Sequence, residues 1–186
     1  PDASQLEAER LAVLSLCCGH SGDIRAGKDM VAELLSRGQG DPGVLASLVY
    51  NAAGCIVARE KEPARVVDYL ENCLEVAAGQ GNRPACSVLC YFAARQRIDA
   101  GDLRTAEKTA WRARDGLGFS SMDELEVLPE VIGATVMRKR GEFARAEEAY
   151  SRCLGSLGPS SGIEFFAEAR CGLALALRAQ GRMGEA

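Results

Sequence analysis

A short turn recurs along this chain at an almost constant interval of forty residues. The turns begin at Gly22, Lys61, Gly101, Gly141 and Gly181, so the intervals are 39, 40, 40 and 40 residues. Repetition with a period of 20 to 50 residues is typical of solenoids, in which each unit packs against its sequence neighbours. The period therefore predicts an array of similar units rather than one globular core.

The composition of the turns predicts that each one joins two helices. Four of the five begin with glycine, which can adopt a positive φ just past a helix end without a steric penalty. An acidic residue follows the first turn residue in four of the five turns, where it can cap the next helix and complement its dipole. The second turn instead contains Pro63, which is tolerated in a first helical turn.

The residues on both sides of each turn follow a helical period. A small residue lies seven positions before every turn: Ser15, Gly54, Ala94, Ala134 and Ala174. After the turn, small or apolar residues recur at steps of four and three, as in Ala106, Ala110 and Ala113, which places them on one helix face. The pattern predicts helices over 4–20, 22–37, 44–60, 63–78, 84–100, 102–115, 124–140, 142–155 and 163–180, with a tenth beginning near 182. Clusters rich in glycine, serine and proline over 37–43, 115–121 and 155–162 are predicted to be loops.

Composition excludes several classes of protein. Hydrophobic residues make up 47% and charged residues 26%, which is ordinary for a folded chain, and the net charge of −4 disfavours nucleic-acid binding through bulk charge. No apolar run approaches the roughly 18 residues of a membrane span, and no secretory signal opens the segment. The eight cysteines include no C-x-x-C pair, so we expect reduced thiols and a cytoplasmic location.

The turn and the helix after it resemble the tetratricopeptide repeat. The strongest match is Gly141-Glu142-Phe143-Ala144-Arg145-Ala146-Glu147-Glu148-Ala149-Tyr150, and the segment from Gly101 to Lys108 also matches well. The second repeat departs from the pattern at its turn, and Gly27 stands where alanine is usual. The resemblance implies an all-α superhelix of antiparallel helix hairpins, a TPR-like solenoid that binds proteins or ligands.

The repeat length indicates which group of tetratricopeptide-repeat proteins the chain resembles most. Tetratricopeptide repeats usually run about 34 residues, whereas a period of forty is similar to the repeats of large bacterial LuxR-type regulators like the maltose-regulon activator. In that family the repeats form a sensor region between an NTPase module and a DNA-binding helix-turn-helix. We therefore expect a ligand-sensing or protein-interaction module of such a regulator. The alternative is a stand-alone adaptor or co-chaperone that binds peptide segments of partner proteins.

The repeats are expected to form one domain over residues 1–186. The units fall at about 4–40, 44–80, 84–120, 124–160 and a truncated 163–186. Because a repeat cut inside its second helix leaves an apolar face uncovered, we expect this segment to belong to a longer protein. The same exposed faces predict a possible homodimer through the terminal repeats.

Residues suited to catalysis or metal binding are sparse. His20 is the single histidine and lies beside Ser21, where it could act as a base, but its place at a helix end is favourable for a cation in any case. Cys86 and Cys90 lie four residues apart, as two metal ligands might, but packing explains them better. No phosphate-binding or nucleophile motif is present. We therefore expect no enzymatic activity, no cofactor and no metal.

The resemblance also implies where a ligand would bind. In tetratricopeptide superhelices the first helix of each hairpin lines the concave groove, and its exposed positions here would be Asn51, Arg59, Tyr91, Arg95, Asp99, Thr135, Arg138, Lys139 and Arg178. This set is basic although the chain is acidic, and arginine can bind carboxylate or phosphate through two hydrogen bonds. We therefore expect a groove for an acidic peptide segment or a small anionic inducer, centred on Arg95, Arg138 and Lys139. The alternative is that residues 138–140 simply end a helix, where cations suit the dipole.

Overall fold

The computed structural model describes residues 3–37, 42–60, 62–116, 123–157 and 163–185. Within these ranges the chain forms nine α-helices and one short 3₁₀ turn, and no strand. The helices are α1 (Ala3–Ser21), α2 (Ile24–Arg37), α3 (Pro42–Arg59), α4 (Pro63–Gly79), α5 (Arg83–Asp99), α6 (Leu103–Gly116), α7 (Asp123–Lys139), α8 (Phe143–Ser156) and α9 (Ile163–Ala179), and the 3₁₀ turn is Met183–Glu185.

Nine of the ten predicted helices are confirmed, with ends that agree to within two residues. At the tenth, predicted to begin near 182, the described residues form only the 3₁₀ turn Met183–Glu185. The turn glycines adopt the left-handed conformation that the sequence predicted, with φ of 83° at Gly101 and 82° at Gly141. The second turn begins at Lys61, which lies outside the described residues, as do most of the three predicted loops. A further left-handed glycine, Gly81, was not predicted and makes the connection between α4 and α5 short.

Aspartate and glutamate behave differently in the turns. The Asp23 and Asp102 carboxylates each accept a hydrogen bond from the backbone N–H three residues later, at 3.1 Å, as predicted for caps. The predicted capping is wrong for Glu62 and Glu142, which make no side-chain cap. Their longer side chains instead form ion pairs with arginines three residues later, Arg65 and Arg145.

The helices pack as two layers of an all-α solenoid. Each first helix of a hairpin packs against the next first helix, so that α1, α3, α5, α7 and α9 form one continuous layer, which we call the odd layer. The second helices cover it from one side: α2, α6 and α8 pack on the first helices before and after them, whereas α4 packs on α5 and on α2. The predicted fold class, an α-α superhelix of helix hairpins, is therefore confirmed. None of the described helices combines the length and apolarity needed to cross a membrane.

Small residues allow the two helices of a hairpin to approach closely. Ser15 and Gly27 face each other, and the Ser15 hydroxyl donates a hydrogen bond to the Gly27 carbonyl at 3.1 Å. In the third and fourth hairpins the same positions hold fully buried alanines, namely Ala94, Ala106, Ala134 and Ala146. A larger side chain at these positions would separate the helices and open the core.

A polar contact joins neighbouring repeats at equivalent positions. The residue six positions after a turn glycine meets the residue just before the next turn. These pairs are Lys28 with Glu60 at 3.1 Å, Glu107 with Arg140 at 2.8 Å, and Glu147 with Gln180 at 2.8 Å. The first pair has the reversed charge order. The contact needs two complementary groups, but either position can hold the acidic or the basic one. For this reason the residue types do not repeat along the sequence, and the contact was not predicted from it.

None of the eight cysteines forms a disulfide within the described residues, and three of them are buried. Cys73, Cys90 and Cys153 are buried in the core, whereas Cys17 and Cys171 are exposed. Burial raises the pKa of Cys90 to about 11 and that of Cys153 to about 12, because the thiolate would lose its hydration.

Exposed apolar side chains occur at both ends of the described array. Leu6 and Val13 on α1 are 53% and 57% exposed, and Leu175 and Met183 at the other end are 44% and 64% exposed. Such residues are consistent with further contacts at the ends, and the homodimer stays a prediction.

The first prediction concerns the contact of α9 with α8. A Cβ at Gly172 would lie 2.2 Å from Cζ of Tyr150, a fully buried ring whose hydroxyl hydrogen-bonds to Thr135 at 2.8 Å. Gly172→Ala should therefore lower the free energy of unfolding by about 1–3 kcal/mol, measured by urea denaturation. Gly155→Ala is the control, because a Cβ there meets nothing within 4 Å. The control should be neutral or stabilise by up to about 1 kcal/mol, and equal effects of the two variants would contradict the packing argument.

The second prediction concerns thiol reactivity. Because thiolates are the reacting species, the raised pKa and burial of Cys90 and Cys153 should keep them unmodified at pH 8. Cys17 and Cys171 should react first with a thiol reagent, and all eight thiols only after denaturation. Mass spectrometry of the native protein after brief alkylation measures the order. Early labelling of Cys90 or Cys153 would contradict the packing described here.

Candidate binding groove

A carboxylate is already bound on the odd layer, between its third and fifth helices. Arg95 on α5 forms an ion pair with Glu168 on α9 through its Nη1, and the Tyr91 hydroxyl donates to the other carboxylate oxygen at 2.5 Å. Tyr91 precedes Arg95 by one helical turn, so both side chains project from the same face of α5. Together they form a site that binds a carboxylate by charge and by hydrogen bonds.

The same contact bears on the curvature of the odd layer. α7 lies between α5 and α9 and packs against both. Since neighbouring helix axes are about 8–10 Å apart, α5 and α9 would be roughly 18–20 Å apart in a flat layer. Closing the Arg95–Glu168 pair is easier if the layer curves toward this face. The binding groove that the resemblance implied stays a prediction.

Burial and neighbouring charges shift the pKa of Arg95 in opposite directions. Partial burial disfavours the charged guanidinium, but Glu168, with smaller contributions from Tyr91 and Asp99, outweighs it and raises the pKa of Arg95. The Arg95 side chain remains 40% exposed, whereas the Glu168 side chain is only 18% exposed. Part of the Arg95 side chain thus still faces solvent.

Glu168 was missed by the sequence analysis. Its register position, six residues before the small residue of the repeat, holds Leu48, Val88 and Leu128 in the three preceding repeats. The first repeat has Glu9 at this position, so the available signal was only a departure from the three repeats directly before it. Its partners lie 73 and 77 residues away, so no local pattern could have identified them.

Two of the predicted groove residues are not exposed. Tyr91 and Thr135 are each only 6% exposed, so the prediction that they present an open surface is wrong. The Tyr91 hydroxyl nevertheless reaches Glu168. The Thr135 hydroxyl instead bonds to the Val131 carbonyl at 2.9 Å and to the Tyr150 hydroxyl at 2.8 Å, because its short side chain stays within its hairpin.

The remaining predicted residues spread along the odd layer. Asn51, Arg59, Asp99, Lys139 and Arg178 are exposed, and Arg138 is partly buried. Arg59 lies close to His20 of the preceding repeat, with 3.4 Å between its Nη2 and the Nδ1 of the ring. The Nε of Arg138 is buried without a hydrogen-bond partner among the described residues. Of the predicted basic centre, the structure thus brings Arg95 to a carboxylate and does not link Arg138 or Lys139 to it.

The residues considered for catalysis and metal binding have other contacts. The Ser21 hydroxyl donates a hydrogen bond to the Cys18 carbonyl at 3.0 Å, so its proton is not directed at His20. Burial raises the pKa of both Cys86 and Cys90, which disfavours the thiolate form that binds metals. Within the described residues, no three side chains of His, Cys, Asp or Glu are grouped to hold a metal ion.

Comparison with known proteins supports the fold alone. No protein-family model matches the chain, and no curated protein matches it. Five chains of solved structures match. One is BtubC (BKLC) from P. vanneervenii, with a TM-score of 0.71 and 15% sequence identity over 98% of this chain and 76% of that chain. At this identity the likeness shows that the chain shares an all-helical, repeat-like architecture with that protein.

Proposed function

We propose that this chain is a non-catalytic protein-interaction module whose concave odd layer binds an acidic segment of a partner protein. The observation that carries the proposal is the binding of the Glu168 carboxylate by Arg95 and Tyr91. A site that binds an internal carboxylate has the chemistry to bind an external one. Arg178 on α9 and Lys139 on α7 add positive charge along the same layer.

Glu168 acts in this proposal as an internal competitor. A ligand carboxylate must displace it from Arg95, so the measured affinity is lowered by the fraction of molecules in which the pair is closed. Because the Arg95 side chain is 40% exposed, a ligand carboxylate can reach it from solvent. The competition favours partners that present several carboxylates over single anions.

The third prediction tests the site. A fluorescein-labelled peptide of ten glutamates should bind the full chain, and Arg95→Ala should weaken binding about tenfold, because a hydrogen bond to a charged group is lost. Fluorescence anisotropy at low salt measures the dissociation constants. Arg104→Ala is the matched control, since Arg104 is an exposed arginine on α6, outside the odd layer. Equal losses in the two variants would show only bulk charge attraction and would contradict the proposal.

The fourth prediction tests the competition. Glu168→Gln removes the internal charge while keeping the side-chain shape, so it should strengthen binding of the same peptide roughly three- to tenfold. Glu75→Gln, an exposed position on α4, removes one negative charge elsewhere and serves as the control. If both variants bind equally well, Glu168 does not compete.

A more specific proposal concerns the longer protein of which this chain would be a part. The forty-residue period and the tetratricopeptide-like turns support the sensor region of a cytoplasmic LuxR-type regulator. The alternative is a stand-alone tetratricopeptide adaptor. The sequence of the parent reading frame tests the choice, since an upstream P-loop with a downstream helix-turn-helix supports the regulator, whereas further repeats alone support the adaptor.

A further inference from the structure

A cleft opens on the side of the solenoid opposite the groove. It lies over α7, between α6 and α8, and has a volume of about 120 Å³. Trp111 on α6 forms one wall, and Met137 and Gly133 on α7 line the base. The cleft is separate from Arg95 and Glu168, so it is independent of the groove proposed above.

The cleft exists because the fourth repeat lacks side-chain volume at one position. A Cβ at Gly133 would meet nothing within 4 Å, so the missing side chain leaves open space. The equivalent residues of the second and third repeats are Ala53 and Ala93, which are 0% and 2% exposed and thus fully covered. Pro129 lies one turn before Gly133 on the same face of α7. In the fourth repeat the opening thus coincides with a residue that has no side chain.

The rim of the cleft carries one carboxylate and one guanidinium that are not paired. Glu107 is neutralised by Arg140 at 2.8 Å. Glu130 on α7 and Arg152 on α8 are exposed and have no ion-pair partner among the described residues. The Glu130 carboxylate has only a long contact of 4.0 Å with the Cys153 thiol. Both charges therefore remain available to a ligand that bears charges of both signs.

We propose that this cleft binds a free α-amino acid with an aliphatic side chain. The side chain enters between Trp111 and Met137, the ammonium group binds Glu130, and the carboxylate binds Arg152. An apolar cavity of about 150 Å³ holds benzene, so a cleft of 120 Å³ fits a group of about four carbons, such as the side chain of leucine. The pairing of an apolar base with opposite charges at the rim selects a zwitterion over a simple hydrocarbon.

The single tryptophan of the chain makes this site directly measurable. Titration of the full chain with L-leucine should give a saturable change in the fluorescence of Trp111, and calorimetry gives a second readout. N-acetyl-L-leucine amide has the same side chain without the two charges, so it should bind at least about tenfold more weakly. Glycine has the charges without the side chain and should also bind weakly.

Substitutions at the rim of the cleft test whether Glu130 and Arg152 bind the charged groups of the amino acid. Glu130→Gln and Arg152→Gln should each weaken leucine binding about tenfold, because each loses a charge-assisted hydrogen bond. Glu148→Gln, an exposed change on α8 outside the cleft, should leave binding unchanged. Gly133→Leu should abolish binding by filling the cleft, with circular dichroism to verify its folding.

Three results would overturn the proposal. One is the absence of a saturable response to leucine in both fluorescence and calorimetry. Another is equal binding of the capped amide, which would indicate a purely apolar contact such as one side chain of a partner protein. The third is unchanged leucine binding by Glu130→Gln and Arg152→Gln.

Discussion

The close approach of two helices at small residues is the contact on which the rest of the solenoid depends. Ser15 meets Gly27 within the first hairpin, whereas Gly54 of α3 faces Phe92 of α5. Helices of 14 to 19 residues are marginal in water by themselves, so each needs a partner against which to bury its apolar face. Ala94 against Ala106 and Ala134 against Ala146 allow that burial without a gap. Once a hairpin is closed, its exposed apolar edge is covered by the next repeat. The same arrangement then repeats along the chain.

Curvature adds a second level of organisation. Stacked repeats turn slightly relative to one another, and the accumulated rotation brings α5 and α9 within reach of one ion pair. That contact gives the odd layer a carboxylate site that is occupied from within the chain. A groove that looked strongly basic in sequence is therefore partly neutralised. In the proposed function, the affinity for an acidic partner would depend on the difference between two carboxylates rather than on the charge of Arg95 alone.

The two faces of the solenoid offer different chemistry. The odd layer presents arginine and tyrosine to a carboxylate across a broad, curved surface, which suits an extended acidic segment. The cleft on the other side is small and apolar, with one charge of each sign at its rim. Both features lie at positions where a repeat departs from its neighbours: Glu168 follows Val88 and Leu128, and Gly133 follows Ala53 and Ala93. Positions shared by the repeats build the scaffold, and both proposed sites include a position where the repeats differ.

The sequence by itself determined the helices, their turns and the pairing within hairpins. These depend on local signals, such as the left-handed glycine at Gly101 and the cap at Asp102, and on a period that repeats them. Only the tertiary structure decided that Glu168 meets Arg95, that Thr135 turns into its hairpin and that Gly133 leaves a cleft. The physical reason is that curvature sums small rotations between repeats, and no single repeat encodes the distance between residues more than seventy positions apart.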